Sequence, residues 1–162
     1  MHLLLEAAMA GADGDLESLA ASALDEHGLD PDDASDAVAL VRSVMGSDLW
    51  TRARAGTSCL TEVPIQFLQS RTERSVPTIV RGVIDLVFRE TDGWVIVDYK
   101  TDDHSPEAID GLVEHYAGQV RLYAEAWQRA VDEPVCETGL YFVRTGRYRP
   151  VAPSETQTSE LG

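Results

Sequence analysis

Two runs of apolar and β-branched residues on either side of Asp92-Gly93 constrain the fold of this chain more than any other feature. Asp-Gly between such runs is a strong signal for a β-hairpin with a two-residue type I′ turn. A turn at these two residues would place Asp85 opposite Lys100. Because side chains alternate along a strand, the hairpin is predicted to carry Asp85, Asp98 and Lys100 on one face, and a slip of one residue would separate them.

These three charged groups lie among apolar neighbours, so the hairpin is expected to lie inside a sheet. Burying them costs several kcal/mol unless they are paired or bind a cation. Converging carboxylates favour a hard divalent ion such as Mg²⁺, which orients water and neutralises phosphate charge. A lysine beside the ion would add a cation for the scissile phosphate or the attacking water. The alternative is a buried Asp–Lys ion pair that only closes the hairpin.

The order of helical and strand-like segments predicts an α/β fold. Leucine, alanine and valine recur at helical spacing in the first part of the chain. After it, β-branched and aromatic runs predict strands near residues 58–69, 78–90 and 93–100, a helix over 106–131 and a last strand at 140–143. We expect one domain over residues 1–150, made of a helical portion (1–56) and an αβββαβ core (57–150), followed by a flexible tail (151–162).

The composition favours a globular protein, because 162 residues with 44% apolar content can bury a real core. Acidic residues outnumber basic ones by 28 to 13, which gives a formal charge of −15. Lys100 is the only lysine. This balance argues at first sight against a nucleic-acid partner. It is also what we expect of a halophilic protein, since molar salt shortens the Debye length to about 3 Å and screens self-repulsion. The alternative is an acidic protein of an ordinary cytoplasm.

Several classes of protein are excluded by what the sequence lacks. No run approaches the roughly 20 apolar residues of a membrane span, and the first residues do not resemble a signal peptide, so we expect a cytoplasmic protein with no membrane partner. Cys59 and Cys136 are too few for a disulfide framework, a cysteine-rich zinc site or a four-cysteine iron–sulfur cluster. No Walker-type loop is present. The uncapped first helix is expected of a domain cut from a longer chain.

A set of motifs in fixed order resembles a known nuclease signature. It consists of Gly82-Val-Ile-Asp85, a hairpin, Val97-Asp98-Tyr99-Lys100-Thr101-Asp102, and a helix with Gln119 and Tyr123 four residues apart. Together these resemble RecB-like nucleases of the restriction-endonuclease-like, PD-(D/E)XK, superfamily. A lone Asp-x-Lys is weak evidence, whereas the ordered set is specific. The resemblance implies a restriction-endonuclease-like α/β core.

The flanking residues narrow this resemblance. Glu62-Val-Pro64 precedes the hairpin, and Leu140-Tyr-Phe-Val-Arg-Thr-Gly146 follows the helix. With them, residues 57–148 look most like the C-terminal nuclease domain of AddA-type subunits of helicase–nuclease complexes. AddB-like relatives carry a four-cysteine iron–sulfur cluster, which two cysteines cannot build, so no such cluster is expected.

The resemblance implies a metal site. By analogy with the family, Asp85 and Asp98 would be the metal carboxylates, and the backbone carbonyl of Tyr99 would be a further ligand. His2 matches the helical histidine that completes the site, with a frayed terminal residue as the alternative. Glu62 matches an acidic residue that could hold an outer-sphere water or a second metal, with a surface ion pair as the alternative. Mg²⁺ is the expected ion, and Mn²⁺ is the other candidate.

Three further residues are implied in catalysis. Lys100 would stabilise or activate the attacking water. Gln119 and Tyr123 share one helix face and could reach the same site or a phosphate, although Tyr123 could also be a plain core aromatic. His115 lies on that face as well, and packing is favoured over metal binding there.

The sequence therefore predicts a metal-dependent DNA nuclease with exonuclease-type hydrolysis, in DNA repair and recombination. Its partners would be DNA, as single strands or duplex ends, and a helicase motor in the parent chain or in a partner subunit. Two alternatives remain: a noncatalytic DNA-binding or assembly module, and a standalone single-strand DNA exonuclease.

Overall fold

A computed structural model describes residues 1–12, 14–69, 78–101 and 109–152 of this chain. The helices in these ranges are α1 (His2–Met9), α2 (Leu16–Glu26), α3 (Ala34–Met45), α4 (Asp48–Ala55) and α5 (Ile109–Val131), with a 3₁₀ turn at Pro31–Asp33. The strands are β1 (Ser58–Gln69), β2 (Thr78–Glu90), β3 (Gly93–Lys100), β4 (Val135–Phe142) and β5 (Arg147–Pro150). Asp102, the predicted helix start at residue 106 and the tail after residue 152 lie outside the described ranges.

The strands form one mixed sheet in the order β1-β2-β3-β4-β5. β1, β2 and β3 are antiparallel, β3 and β4 are parallel, and β4 and β5 are antiparallel. A parallel pair needs a crossover connection, and α5 provides it between β3 and β4. The predicted α/β class, the αβββαβ order and the first three strands are confirmed.

β5 is the strand that the sequence prediction lacks. Its four residues, Arg-Tyr-Arg-Pro, have no apolar alternation, and none of them is buried. Gly146 supplies the left-handed φ of 63° that the turn before it needs. The strand therefore depends on pairing with β4, which a local pattern does not reveal.

The register of the β2–β3 hairpin corrects the prediction by two residues. Glu90 pairs with Gly93, so residues 91 and 92 form the turn. The prediction that Asp85 lies opposite Lys100 is wrong. The observed register, extended by one residue beyond its last recorded pair, sets Asp85 opposite Asp98 instead. Because the shift is by two residues and side chains repeat every two, the carboxylates still converge.

Gly93 is the first residue of β3 and is not part of the turn. It begins β3 with a φ of 144°, a conformation that favours glycine. A Cβ atom at this position would lie 2.7 Å from the carbonyl oxygen of Pro134. The same carbonyl accepts a hydrogen bond from the backbone N–H of Trp94 at 2.9 Å. The glycine therefore permits the close approach of the chain entering β4, and the turn does not use it.

Helices cover the central strands on both faces. On one face α1, α3 and α4 bury residues such as Leu4, Val41 and Trp50 against the sheet. On the other face α5 packs Tyr123 and Trp127 against β2 and β3. β3 is buried from Gly93 to Tyr99. Any charged group on this strand therefore lies in an apolar environment.

β1 and β2 continue beyond the rest of the sheet. Their pairing runs to Gln69 and Thr78, whereas the recorded pairing of β2 with β3 ends at Leu86. Residues 63–69 and 78–84 thus form a two-stranded extension, called here the β1–β2 arm. Within the described ranges, no helix is long and apolar enough to cross a membrane.

Candidate active site

The candidate site lies where β2 and β3 separate. Asp85 lies one residue beyond the last recorded pair of β2 and β3, Leu86 with Val97, on the side away from the turn. Its Oδ2 atom accepts a hydrogen bond from the backbone N–H of Tyr99 at 2.6 Å, so a side chain takes the place of a ladder partner. Asp85 and Asp98 are 6% and 4% exposed. Two carboxylates are therefore held in the interior, one on each strand.

His2 lies against the other carboxylate oxygen of Asp85, Oδ1, and Glu62 lies beside His2. His2 Nδ1 lies 3.1 Å from Asp85 Oδ1 and 3.3 Å from Glu62 Oε1. One ligand atom from each of the three residues lies within 4.8 Å of the other two. α1 fixes the position of His2 because Leu4 and Leu5 are buried in the core. We call these three residues, His2, Glu62 and Asp85, the ligand cluster.

The ligand cluster is held together by charge. The hydrogen bond to Asp85 is the largest cause that raises the pKa of His2 above its ordinary value, and the negative charges of Asp85 and Glu62 act in the same direction. Burial raises the pKa of Glu62. A proton on His2 therefore partly neutralises the cluster, and a cation would do so more completely.

Asp98 and Lys100 form the second part of the site. Lys100 Nζ lies 2.8 Å from Asp98 Oδ2, with the lysine side chain 12% exposed. Yet Asp98 Oδ2 accepts no well-aligned hydrogen bond from the described residues. Burial is the largest cause that raises the pKa of Asp98, and the charge of Asp85 adds to it. This carboxylate is thus buried, close to another carboxylate and paired with Lys100.

α5 supplies three more side chains around Lys100. Lys100 Nζ donates to Gln119 Oε1 at 3.0 Å, and Gln119 Nε2 donates to the hydroxyl oxygen of Tyr123 at 2.8 Å. Gln119 and Tyr123 share one helix face, as predicted. Burial raises the pKa of Tyr123. The ring of Tyr123 packs so closely on β2 that a Cβ at Gly82 would lie 2.9 Å from it.

Tyr116 also touches the lysine. The ammonium nitrogen of Lys100 lies 3.8 Å from the centroid of the Tyr116 ring. No role is predicted for Tyr116 from the sequence. The signal was present, because Tyr116 precedes Gln119 by three residues and so lies on the same helix face. His115, for which packing was favoured, is exposed and lies edge-on to Tyr116 at 4.8 Å.

The structure thus brings the candidate residues into two adjoining groups. His2, Glu62 and Asp85 form the ligand cluster, and Asp98, Lys100, Gln119 and Tyr123 form a chain of polar contacts beside it. Tyr99 contributes its backbone N–H to Asp85, and its ring is buried in the core. The use of its carbonyl oxygen as a ligand stays a prediction.

The donor set fits a divalent cation. Two carboxylates and an imidazole converge within 4.8 Å, and the buried carboxylate of Asp98, which is paired with Lys100, adjoins them. Carboxylate oxygens suit Mg²⁺ and Mn²⁺, and a neutral imidazole is an ordinary metal ligand. The arrangement can hold an ion on one side while presenting an ammonium group on the other.

Comparison with known proteins gives one family match and several partial relatives. Residues 1–161 match the sequence profile of the PD-(D/E)XK nuclease superfamily. The chain is 45% identical over 65 residues to an ATP-dependent helicase/nuclease subunit of Carboxydothermus hydrogenoformans, which is 40% of this chain and 6% of that protein. It is 34% identical over 123 residues to the protein of the same name in Bacillus cereus strain AH820, which is 65% of this chain and 10% of that protein.

The chain therefore corresponds to a tenth or less of the length of these curated relatives. The family match, in contrast, extends over almost all of the chain and includes every candidate residue. This chain belongs to the PD-(D/E)XK nuclease superfamily.

Proposed function

We propose that this nuclease domain hydrolyses DNA phosphodiester bonds with Mg²⁺, or with Mn²⁺ in its place, in an exonuclease-type reaction. One observation carries the proposal most strongly. Asp98, 4% exposed, lies beside a second buried carboxylate, Asp85, and its pKa is raised even though Lys100 Nζ lies 2.8 Å from its Oδ2 atom. A buried carboxylate is ordinarily paired or bound to a metal.

Asp85 and Asp98 would hold the metal, with His2 as the nitrogen ligand. Glu62 is close enough to take part directly or through water, since His2 Nδ1 lies 3.3 Å from its Oε1 atom. When bound, the ion would lower the pKa of a water molecule and neutralise charge on the phosphate. The backbone carbonyl of Tyr99 would complete the set of protein ligands.

Lys100 would donate from its ammonium group to the scissile phosphate or to the attacking water. Its contact with Gln119 Oε1 at 3.0 Å keeps the side chain extended toward Asp98. Tyr123 in turn orients the Gln119 amide. An ammonium in a site that is largely closed to water stabilises developing phosphate charge more than it would in solvent.

The charge of the chain bears on how DNA reaches the site. A formal charge of −15 opposes DNA binding, so phosphate contacts must come from the metal and from local arginines such as Arg54, Arg81, Arg121 or Arg147. We propose that a helicase motor delivers the strand, since the relatives bear the name ATP-dependent helicase/nuclease. Tethering raises the effective concentration of a weakly bound substrate.

The test is cleavage of end-labelled single-stranded and duplex DNA by the purified chain. Mg²⁺ or Mn²⁺ is added, with EDTA as the control, at about 0.1 and 2 M KCl because salt weakens phosphate contacts steeply. We expect metal-dependent release of label, whose pattern gives the polarity. The halophilic hypothesis expects the folded and active state to persist at the higher salt concentration.

Matched variants decide whether the assigned residues are responsible. Asp85→Asn, Asp98→Asn and Lys100→Ala should abolish cleavage. Asp92→Asn makes the same chemical change in the exposed turn of the same hairpin and should leave cleavage intact. Cleavage that survives Lys100→Ala, or that is equal with and without EDTA, would show a contaminating or different activity. A folded chain that binds Mg²⁺ and DNA without cutting would favour a noncatalytic module.

A further inference from the structure

Lys100 is surrounded by three groups of different chemistry. Its ammonium nitrogen lies 2.8 Å from Asp98 Oδ2, 3.0 Å from Gln119 Oε1 and 3.8 Å from the centroid of the Tyr116 ring. An ammonium group has three N–H donors. Lys100 therefore combines an ion pair with Asp98 and a hydrogen bond to Gln119 with a contact to the ring face, which is its third partner.

The partner that a metal ion would compete for is Asp98. If the Asp98 carboxylate binds a cation, its attraction for Lys100 is weakened. Asp98 is the only negatively charged group among these three partners of Lys100. Lysine has a flexible four-carbon stem and a strongly hydrated head group, so it would then tend to turn toward water. The Tyr116 ring and the Gln119 amide would remain to hold it.

We propose that Tyr116 is a positioning residue, whose ring holds the Lys100 ammonium in place for phosphodiester cleavage. This inference rests on the nuclease function proposed above. An aromatic ring attracts a cation through its quadrupole and carries no net charge. It can therefore fix the ammonium without adding another carboxylate to compete for the metal and without cancelling the positive charge that faces the phosphate.

Tyr116 also packs beside an apolar cluster that includes Val120 and Leu140, so a role in packing has to be separated from positioning. Tyr116→Phe keeps the ring and removes the hydroxyl group. Tyr116→Leu keeps an apolar side chain and removes the ring face. Val113→Ala removes apolar volume from a residue that packs against the same cluster, and it serves as the control for packing alone.

The first readout is the position of the lysine itself. Lys100 is the only lysine, so protein labelled with ¹³C at the lysine Cε gives a single side-chain signal in NMR spectra. An aromatic ring face shifts nearby protons upfield. We expect the Lys100 Cε protons to be upfield in the wild-type chain and in Tyr116→Phe, and to move toward the free-lysine position in Tyr116→Leu. Val113→Ala should keep the wild-type position.

The second readout is steady-state cleavage of DNA. We expect Tyr116→Leu to lower kcat about tenfold, the size of one partly desolvated cation–π contact, with KM changed by less than about twofold. Tyr116→Phe should restore kcat to within about twofold of wild type. An equal loss of kcat in Tyr116→Phe and Tyr116→Leu, or in Val113→Ala and Tyr116→Leu, would overturn the proposal.

The two readouts separate the possible failures. A Lys100 signal that is unmoved in Tyr116→Leu overturns the positioning role even if cleavage falls. A moved signal with unchanged kcat overturns it as well, because the lysine would then not need the ring. If the wild-type chain cuts no DNA with either metal, the proposed function fails, and the NMR signal alone decides whether the ring holds the ammonium.

Discussion

The two ends of the β2–β3 hairpin gather charged side chains in opposite ways. Near the turn, Arg52 of α4 binds Glu90 with two hydrogen bonds of 2.9 Å and Glu137 with bonds of 2.9 and 3.2 Å. The Tyr148 hydroxyl group donates to Glu137 at 2.6 Å. We call this group the Arg52 cluster. At the far end lie the ligand cluster, Asp98 and Lys100.

All four carboxylate oxygens of the Arg52 cluster accept a hydrogen bond. The pKa of Glu90 is accordingly lowered, chiefly by the hydrogen bonds from Arg52. At the far end the pKa of Asp98 is raised by burial and by the charge of Asp85, although Lys100 Nζ lies 2.8 Å from its Oδ2 atom. Carboxylates that are fully hydrogen-bonded stabilise a fold. A buried carboxylate whose charge is only partly compensated is a candidate ligand for a cation.

The largest effect expected is from Asp98→Asn. Removing this carboxylate should lower DNA cleavage by about 10³-fold, because both metal binding and the placement of Lys100 depend on it. Without metal, the variant should be about as stable as the wild type, because removal of a buried charge with a raised pKa offsets the loss of the ion pair with Lys100. The cleavage rate tests the expected loss of activity, and urea unfolding in EDTA tests the expected metal-free stability. A large loss of metal-free stability would contradict the contrast between the two ends.

Arg52→Ala should give the reverse result. It leaves Glu90 and Glu137 without their shared partner, and we expect a loss of about 2 kcal/mol, reduced from the cost in a deep interior because Arg52 is 34% exposed. Cleavage at 25 °C should change by less than about twofold, as the cluster lies at the other end of the hairpin. Urea unfolding and the cleavage assay test this. A loss of activity in a folded variant would show that the ends are coupled.

Gly82→Ala tests the packing around the candidate site, at the end of the hairpin away from the turn. The added Cβ would meet the Tyr123 ring at 2.9 Å and its hydroxyl oxygen at 3.0 Å, which displaces the partner of Gln119. We expect about 1 kcal/mol lower stability and a several-fold lower kcat. The matched control is Gly118→Ala, where a Cβ meets nothing within 4 Å on α5. The control should gain roughly 0.5–1 kcal/mol, as alanine favours a helix.

The smallest effect is a pH dependence of the Arg52 cluster. Because the pKa of Glu90 is lowered in the folded state, its pairing with Arg52 stabilises the fold at pH values above the ordinary glutamate pKa of 4.5. That contribution is lost as the pH falls through the folded-state pKa. The difference in stability between wild type and Arg52→Ala should therefore be full near pH 7 and smaller near about pH 3. A difference that grows on acidification would contradict the assignment.

Much of this arrangement follows from local pattern. Alternation in the hairpin was enough to predict that Asp85 and Asp98 converge, although the register was wrong by two residues. The spacing of Gln119 and Tyr123 likewise predicted that they share one helix face, where the two side chains are hydrogen-bonded. The family signature was specific because it combined several such local patterns in order.

What could not be predicted depends on residues far apart in the chain. Gly93 begins β3 and lies against the carbonyl of Pro134, a contact that no hairpin rule contains. Arg52 joins residues 38 and 85 positions away, so neither partner is visible in its local sequence. The placement of Tyr116 against Lys100 requires the packing of α5 on the sheet, which spacing alone does not specify.

The β1–β2 arm makes the colloidal behaviour of this chain depend on salt. It leaves Leu68 63%, Ile79 54% and Val83 41% exposed. At low ionic strength the formal charge of −15 keeps copies of the chain apart. At about 1 M salt the screening length falls to roughly 3 Å, and an exposed apolar strand at the edge of a sheet is then free to pair with another copy. Self-association of the purified chain is therefore expected to increase with ionic strength.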